Sequence, residues 1–177
     1  MQKKDIIIAI DPDIDGSGLA MVWPKQTKFE LHQFTLPVLV DFLKECKEAY
    51  DRRNLSYVVV VEASYLISGN WHLDHNDSQK RAAAKGKHVG RNHEIGRQIV
   101  EFCKYLDIPY EEKIPLTPNW AGRGGKITHE ELQMLLEGMG FPPIKGTTNP
   151  EKRDALLIAL DRSGLPLIMA PAKKKQR

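Results

Sequence analysis

Two apolar runs that each end on an acid constrain this chain more than any other feature. The first is Asp5-Ile6-Ile7-Ile8-Ala9-Ile10-Asp11, and the second is Tyr57-Val58-Val59-Val60-Val61-Glu62. Short, β-branched and unbroken by polar residues, both read as strands buried on both faces of a sheet. Pro12 ends ladder hydrogen bonding after the first, and Gly16 and Gly18 permit a tight reversal. Leu19-Ala20-Met21-Val22-Trp23 follows at once and pairs antiparallel with it. A carboxylate at the tip of a central strand is costly unless something pairs with it. Asp11 therefore either caps its turn or holds a partner.

The stretch between the two runs decides how their tips are related. Residues 28–35 alternate roughly, with Phe29, Leu31 and Phe34, and form a third strand. Pro37 opens a helix to about Arg52, with Val38, Leu39, Phe42, Leu43, Cys46 and Tyr50 at helical spacing. A helix leading into a buried strand is a crossover back into the same sheet. The two acid-tipped strands then run parallel, and Asp11 and Glu62 converge at one edge.

Residues 64–89 read as a long polar loop with a short helical piece near residues 80–85. A helix follows to about Asp107, carrying Ile95, Ile99, Phe102, Cys103 and Leu106, and then a short strand over 109–114. Residues 115–125 form a second loop, rich in Pro and Gly and containing Trp120. Thr128-His129-Glu130-Glu131 has capping-box form and opens a helix ending near Gly140. Asn149-Pro150 supplies a cap and a first-turn proline for the last helix, which stops at Gly164. One domain over residues 1–166 and a basic tail over 167–177 are expected.

The last helix begins Glu151-Lys152-Arg153-Asp154, so two carboxylates three apart share one face of its first turn. The helix dipole favours negative charge there. The apolar Ala155-Leu156-Leu157-Ile158-Ala159-Leu160 that follows packs the helix hard against the sheet.

Net charge is only +3, but its distribution is uneven. Lys80, Arg81, Lys85, Lys87, Arg91 and Arg97 are interrupted by one acid, Glu94; Arg123 and Lys126 form a second group, and Lys173, Lys174, Lys175 and Arg177 end the chain. Clustered basic charge suits a polyanion such as nucleic acid. Cys46 and Cys103 lie on apolar helix stripes and read as reduced core residues. The absence of a membrane-length apolar stretch, and of a signal-peptide apolar region, points to the cytoplasm. Asp13 and Asp15 read as turn-shaping residues, and His72, Asp74 and His75 as hydrated or DNA-facing rather than a zinc site. Tyr65 and Trp71 are candidates for stacking on unpaired bases.

Taken in order, Ile8-Ala9-Ile10-Asp11-Pro12 with Ser17-Gly18-Leu19-Ala20, Val60-Val61-Glu62, the segment 90–100 and Asp154-Ala155-Leu156 resemble the RNase H-like superfamily. Within it, they resemble the RuvC-type Holliday junction resolvases, over residues 5–164. The resemblance implies an α/β fold with a mixed five-stranded sheet flanked by helices on both faces. It implies that Asp11, Glu62, Glu151 and Asp154 bind Mg²⁺, with Mn²⁺ as a substitute, although Glu151 stands where the family commonly has Asp. Asp11 would bridge two ions, with Glu62 on one and Glu151 and Asp154 on the other. Two ions about 4 Å apart can activate water and stabilise the leaving oxygen of a phosphodiester. A basic residue near the start of the second-last helix also belongs to the pattern, and Lys126 and His129 both compete for that place.

The implied activity is magnesium-dependent, structure-selective DNA cleavage by a homodimer, with the dimer contact on residues 90–106. DNA, branched rather than plain, is the implied partner, gripped by the basic residues of 80–97 and Lys126. The alternatives are an RNase H-like nuclease on other nucleic acids and a non-catalytic nucleic-acid-binding module of the same fold. An actin-like or sugar-kinase ATPase would need a longer, two-domain chain.

Overall fold

A computed structural model describes residues 3–67, 78–117 and 119–167. Trp71, His72, Asp74, His75 and the Lys173–Lys175 and Arg177 cluster lie outside the described residues. The strands are β1 (Ile6–Asp11), β2 (Ser17–Trp23), β3 (Lys28–Phe34), β4 (Tyr57–Glu62) and β5 (Tyr110–Lys113). The helices are α1 (Leu36–Arg52), α2 (Gln79–Tyr105), α3 (His129–Gly138) and α4 (Pro150–Arg162).

The sheet order is β3-β2-β1-β4-β5. The β1–β2 and β2–β3 pairs are antiparallel; β1–β4 and β4–β5 are parallel. This is the mixed five-stranded architecture that the resemblance implies. The two central strands are apolar throughout because each alternate residue meets a different helix layer. Ile6, Ile8, Ile10, Val59 and Val61 face Leu39, Leu43, Ile99 and Cys103 of α1 and α2. Ile7, Ala9, Val58 and Val60 face Leu132 and Leu136 of α3 and Leu156 and Ala159 of α4. Cys46 and Cys103 are both buried free thiols. Among the described residues, no helix is long and apolar enough to cross a membrane.

One expectation is corrected. Residues 79–89 do not belong to a loop: they are the first half of α2, a single helix of 27 residues. Ser78 caps it by accepting a hydrogen bond from the Arg81 N–H at 3.4 Å. Ala82, Ala83 and Ala84, with the neighbouring lysines, favour helix intrinsically. The apolar periodicity that normally reveals a helix is missing here because the core does not cover this half. Its buried residues begin at Ile95.

Candidate nucleic-acid cleavage site

Parallel pairing of β1 with β4 brings two carboxylates together. Ile10 lies opposite Val61, so Asp11 and Glu62 are the next residues out at the same end of the sheet. On the other side, Asp11 is in register with Gly18 of β2. Gly18 carries no side chain, and the first turn of α4 lies directly on it. A Cβ there would overlap the Glu151 carbonyl and come within 2.8 Å of the Lys152 nitrogen. That close approach lays Glu151 and Asp154 over the tip of β1.

Side chains fix the turn and the helix start around this contact. Ser17 Oγ accepts a hydrogen bond from the Asp13 N–H at 3.2 Å, and Asp13 Oδ1 accepts from the Asp15 N–H at 2.9 Å. Asn92 of α2 donates to Asp13 Oδ2 at 2.9 Å and accepts from the Ile14 N–H at 3.1 Å. Asp13 thus shapes the turn, as its position predicts, and also ties it to α2. Asn149 caps α4 by accepting from the Lys152 N–H at 3.0 Å. Gln33 of β3 accepts from Asn149 Nδ2 at 2.8 Å and donates to the Gly16 carbonyl at 3.1 Å, so one amide joins the two acid-bearing segments.

All four predicted acids line one cavity of about 270 Å³, together with Lys126. Lys126 Nζ is 2.6 Å from Asp154 Oδ2. This distinguishes the two basic candidates. His129 faces away, its Nδ1 3.0 Å from Thr148 Oγ1. Lys126, expected on the DNA-gripping list, is an ion-pair partner within the acid cluster. Arg153 positions it by donating from Nε to the carbonyl of neighbouring Ile127 at 2.9 Å and from Nη1 to the Thr148 carbonyl at 2.7 Å. Nothing in the sequence marks Arg153, Gln33 or Asn92 for these tasks, because each acts on a segment remote along the chain.

Lys80, Arg81, Lys85, Lys87, Arg91 and Arg97 all lie on α2. Spacings of seven and four put Lys80, Lys87 and Arg91 on one stripe. The Arg97 guanidinium lies 4.8 Å from the centre of the Tyr65 ring. Tyr65, a stacking candidate by sequence, lies against Gly96 and donates to Glu112 Oε2 at 2.5 Å. It fastens the turn after Glu62 to α2 and β5. Asp161, outside the predicted site, pairs with Lys113 at 2.6 Å.

The electrostatics of the cavity are those of crowded acids. Burial, followed by the charges of Glu62 and Asp154, holds the Asp11 carboxyl well above the usual range; Lys126 opposes the rise and Glu151 adds to it. Burial and Asp154 push Glu62 up to about 7, again against Lys126. Burial alone would lower the Lys126 ammonium, but Asp154, Asp11 and Glu151 outweigh it and raise it. Among the described residues, no three acid, histidine or cysteine side chains stand close enough together to hold an ion as they are arranged here. The donor chemistry nevertheless fits a hard divalent cation. The donors are carboxylate oxygens, and neutralising their mutual repulsion is the role a cation fills.

This has a consequence for the metal-free protein. The folded pKa of Glu62, about 7, lies above its ordinary 4.5, so folding takes up a proton. That contribution to stability is complete below the ordinary value and is lost as pH rises through the folded one. With chelator present, the melting temperature is expected to fall between about pH 5 and about pH 8, and Glu62→Gln to flatten the fall. Equal slopes in the two proteins would mean that Glu62 ionises without resistance from its surroundings.

Solved structures similar to this chain include RuvC of Thermus thermophilus in complex with a Holliday junction substrate. That match has 17% identity and a TM-score of 0.43, covering 90% of this chain and 96% of that one. A second Thermus thermophilus RuvC structure matches with 17% identity and a TM-score of 0.41 over the same shares. No family model matches the sequence, and no curated protein matches it.

Proposed function

We propose that this chain is a divalent-metal-dependent, structure-selective DNA endonuclease that resolves four-way or other branched junctions as a homodimer. The observation that carries the reading is the convergence of Asp11, Glu62, Glu151 and Asp154 on one cavity, from three elements remote in sequence. The basic half of α2 lies beyond its rim, where Val89, Asn92 and His93 contribute to the wall.

In this reading the four carboxylates hold Mg²⁺, or Mn²⁺ in its place. The bound metal supplies an activated water and charge stabilisation for the leaving oxygen. The chain's own residues do the rest. The stripe of Lys80, Lys87 and Arg91 takes the phosphate backbone, which makes binding fall steeply with salt. Lys126 exchanges its ion pair with Asp154 for the incoming phosphate and keeps a positive charge where negative charge accumulates. The Gly18 contact and the Gln33–Asn149 bridge keep the acids on α4 over the tip of β1. The dimer contact belongs to α2, whose Phe102 and Tyr105 are exposed. A two-fold pair of sites suits a junction with two-fold symmetry.

The test is a substrate panel of a four-way junction, plain duplex, single strand and RNA–DNA hybrid, each with Mg²⁺ or with chelator. Paired, symmetric nicks confined to the junction and dependent on the ion are expected. Cutting of the hybrid alone would move the activity to another substrate. No cutting of any member would leave a binding module.

A further inference from the structure

The acid cluster occupies only part of the cavity. Ile67, Val89, Leu116 and Trp120 line it as well, giving it an apolar wall next to the carboxylates. Ions, water and phosphate have no use for such a wall, and apolar surface facing a water-filled cavity is unfavourable unless something covers it. We propose that this wall is a nucleobase subsite, in which Trp120 stacks on the base of a nucleotide adjacent to the phosphate that is cut. The identity of the ligand as nucleic acid rests on the nuclease reading above. The base is the planar, largely apolar part of a nucleotide, and it lies one sugar away from the phosphate.

The wall is built rather than incidental. Trp120 and Leu116 pack against the core side chains of α3 and α4. The loop carrying the indole is closed on itself: the Trp120 N–H donates to the Gly125 carbonyl, and the Gly122 N–H to the Lys126 carbonyl, both at 3.0 Å. Glu131 anchors the loop to α3, accepting from the Ala121 N–H and the Thr128 N–H at 2.9 Å each. The indole and the Lys126 ammonium therefore stand at the two ends of one braced loop. The bracing of the loop fixes where each of them stands.

A base can enter only when unpaired. Extraction costs least where pairing is already disturbed, as at a branch point, so the subsite would favour junctions over plain duplex. Stacking on an indole is tolerant of base identity because every base has a π-face.

The test steps a single abasic residue across the branch point of a four-way junction. Binding is measured in Mg²⁺-free buffer for wild type, Trp120→Ala and Trp120→Phe. Trp120→Ala is expected to weaken binding of the intact junction about tenfold. At one abasic position the wild type should fall to the same level, with no further loss from Trp120→Ala. Trp120→Phe, which keeps a ring against the same core, should retain more than half of that coupling, and melting curves check that both variants are folded. If the losses simply add at every position for both variants, no base occupies the wall and the proposal fails. A chain that shows the coupling but cuts no strand with Mg²⁺ keeps the subsite and overturns the nuclease reading alone.

Discussion

Asp11→Asn is expected to reduce Mg²⁺-dependent junction cutting by roughly three orders of magnitude or more while leaving junction binding nearly intact. Asp11 is the acid at the centre of the cluster, feeling the charges of Glu62, Asp154 and Glu151 together. Replacing one carboxylate oxygen with an amide nitrogen removes both a proposed metal ligand and a negative charge. The basic residues of α2 proposed to grip phosphate are untouched, so affinity measured without metal should be nearly that of the wild type. The same change should raise the melting temperature of the metal-free protein at neutral pH, because a carboxyl that resists ionisation is replaced by a neutral group. It should also shrink the rise in melting temperature that Mg²⁺ produces. Opposite movement of stability and activity is the signature to look for. Undiminished cutting by Asp11→Asn would remove the acid cluster from the chemistry.

The second large effect is expected from the smallest change. Gly18→Ala places a methyl group where the Glu151 carbonyl already lies, and no rotamer can move backbone out of the way. Overpacking of this kind costs about 1–3 kcal/mol in ordinary cores and occasionally more. Here both partners are main chain, so the upper end of that range or beyond is expected from denaturant titration. The relief available is for the first turn of α4 to lift off β2, carrying Glu151 and Asp154 away from Asp11. Calorimetric titration with Mg²⁺ should therefore show at least a tenfold weaker affinity in whatever fraction folds. Gly16→Ala is the milder counterpart: the nearest atoms to its Cβ belong to the Gln33 side chain, at 3.3 Å, so it should disturb the Gln33–Asn149 bridge without a main-chain clash and cost less than Gly18→Ala. Wild-type stability and metal affinity in Gly18→Ala would mean that the close contact does not position the acids.

The two acid-tipped strands were legible because a strand buried on both faces has an unmistakable composition, and a helix between two such strands leaves little choice but parallel pairing. The start of α3 was legible because Thr128 and Glu131 form a local capping box, present in full. The first half of α2 was not: the usual helix signal is an apolar face, and this half buries none. The choice between Lys126 and His129 also could not be made from spacing. It depends on how the loop over residues 115–127 is folded, through the Ala121–Glu131 bond and the grip of Arg153 on Ile127. Trp120 was visible only as an aromatic in a Gly-rich loop. Its place beside the acids follows from that same loop path.

The far end of α4 matters to the near end. Arg162 makes a two-pronged ion pair with Glu111 of β5, with Nε at 2.5 Å and Nη2 at 2.7 Å. Asp161 adds its bond to Lys113 on the same strand. With Gly18 and the Asn149 bridge at the other end, α4 is a beam clamped at both supports, spanning the sheet from β2 to β5. Such a beam has little freedom to slide or tilt, so the backbone that carries its acids should hold its place, and loading a cation should call only for side-chain rotation to close the acids on the ion. Reloading after chelation should then be fast and free of any slow rearrangement, as stopped-flow mixing with Mg²⁺ would register.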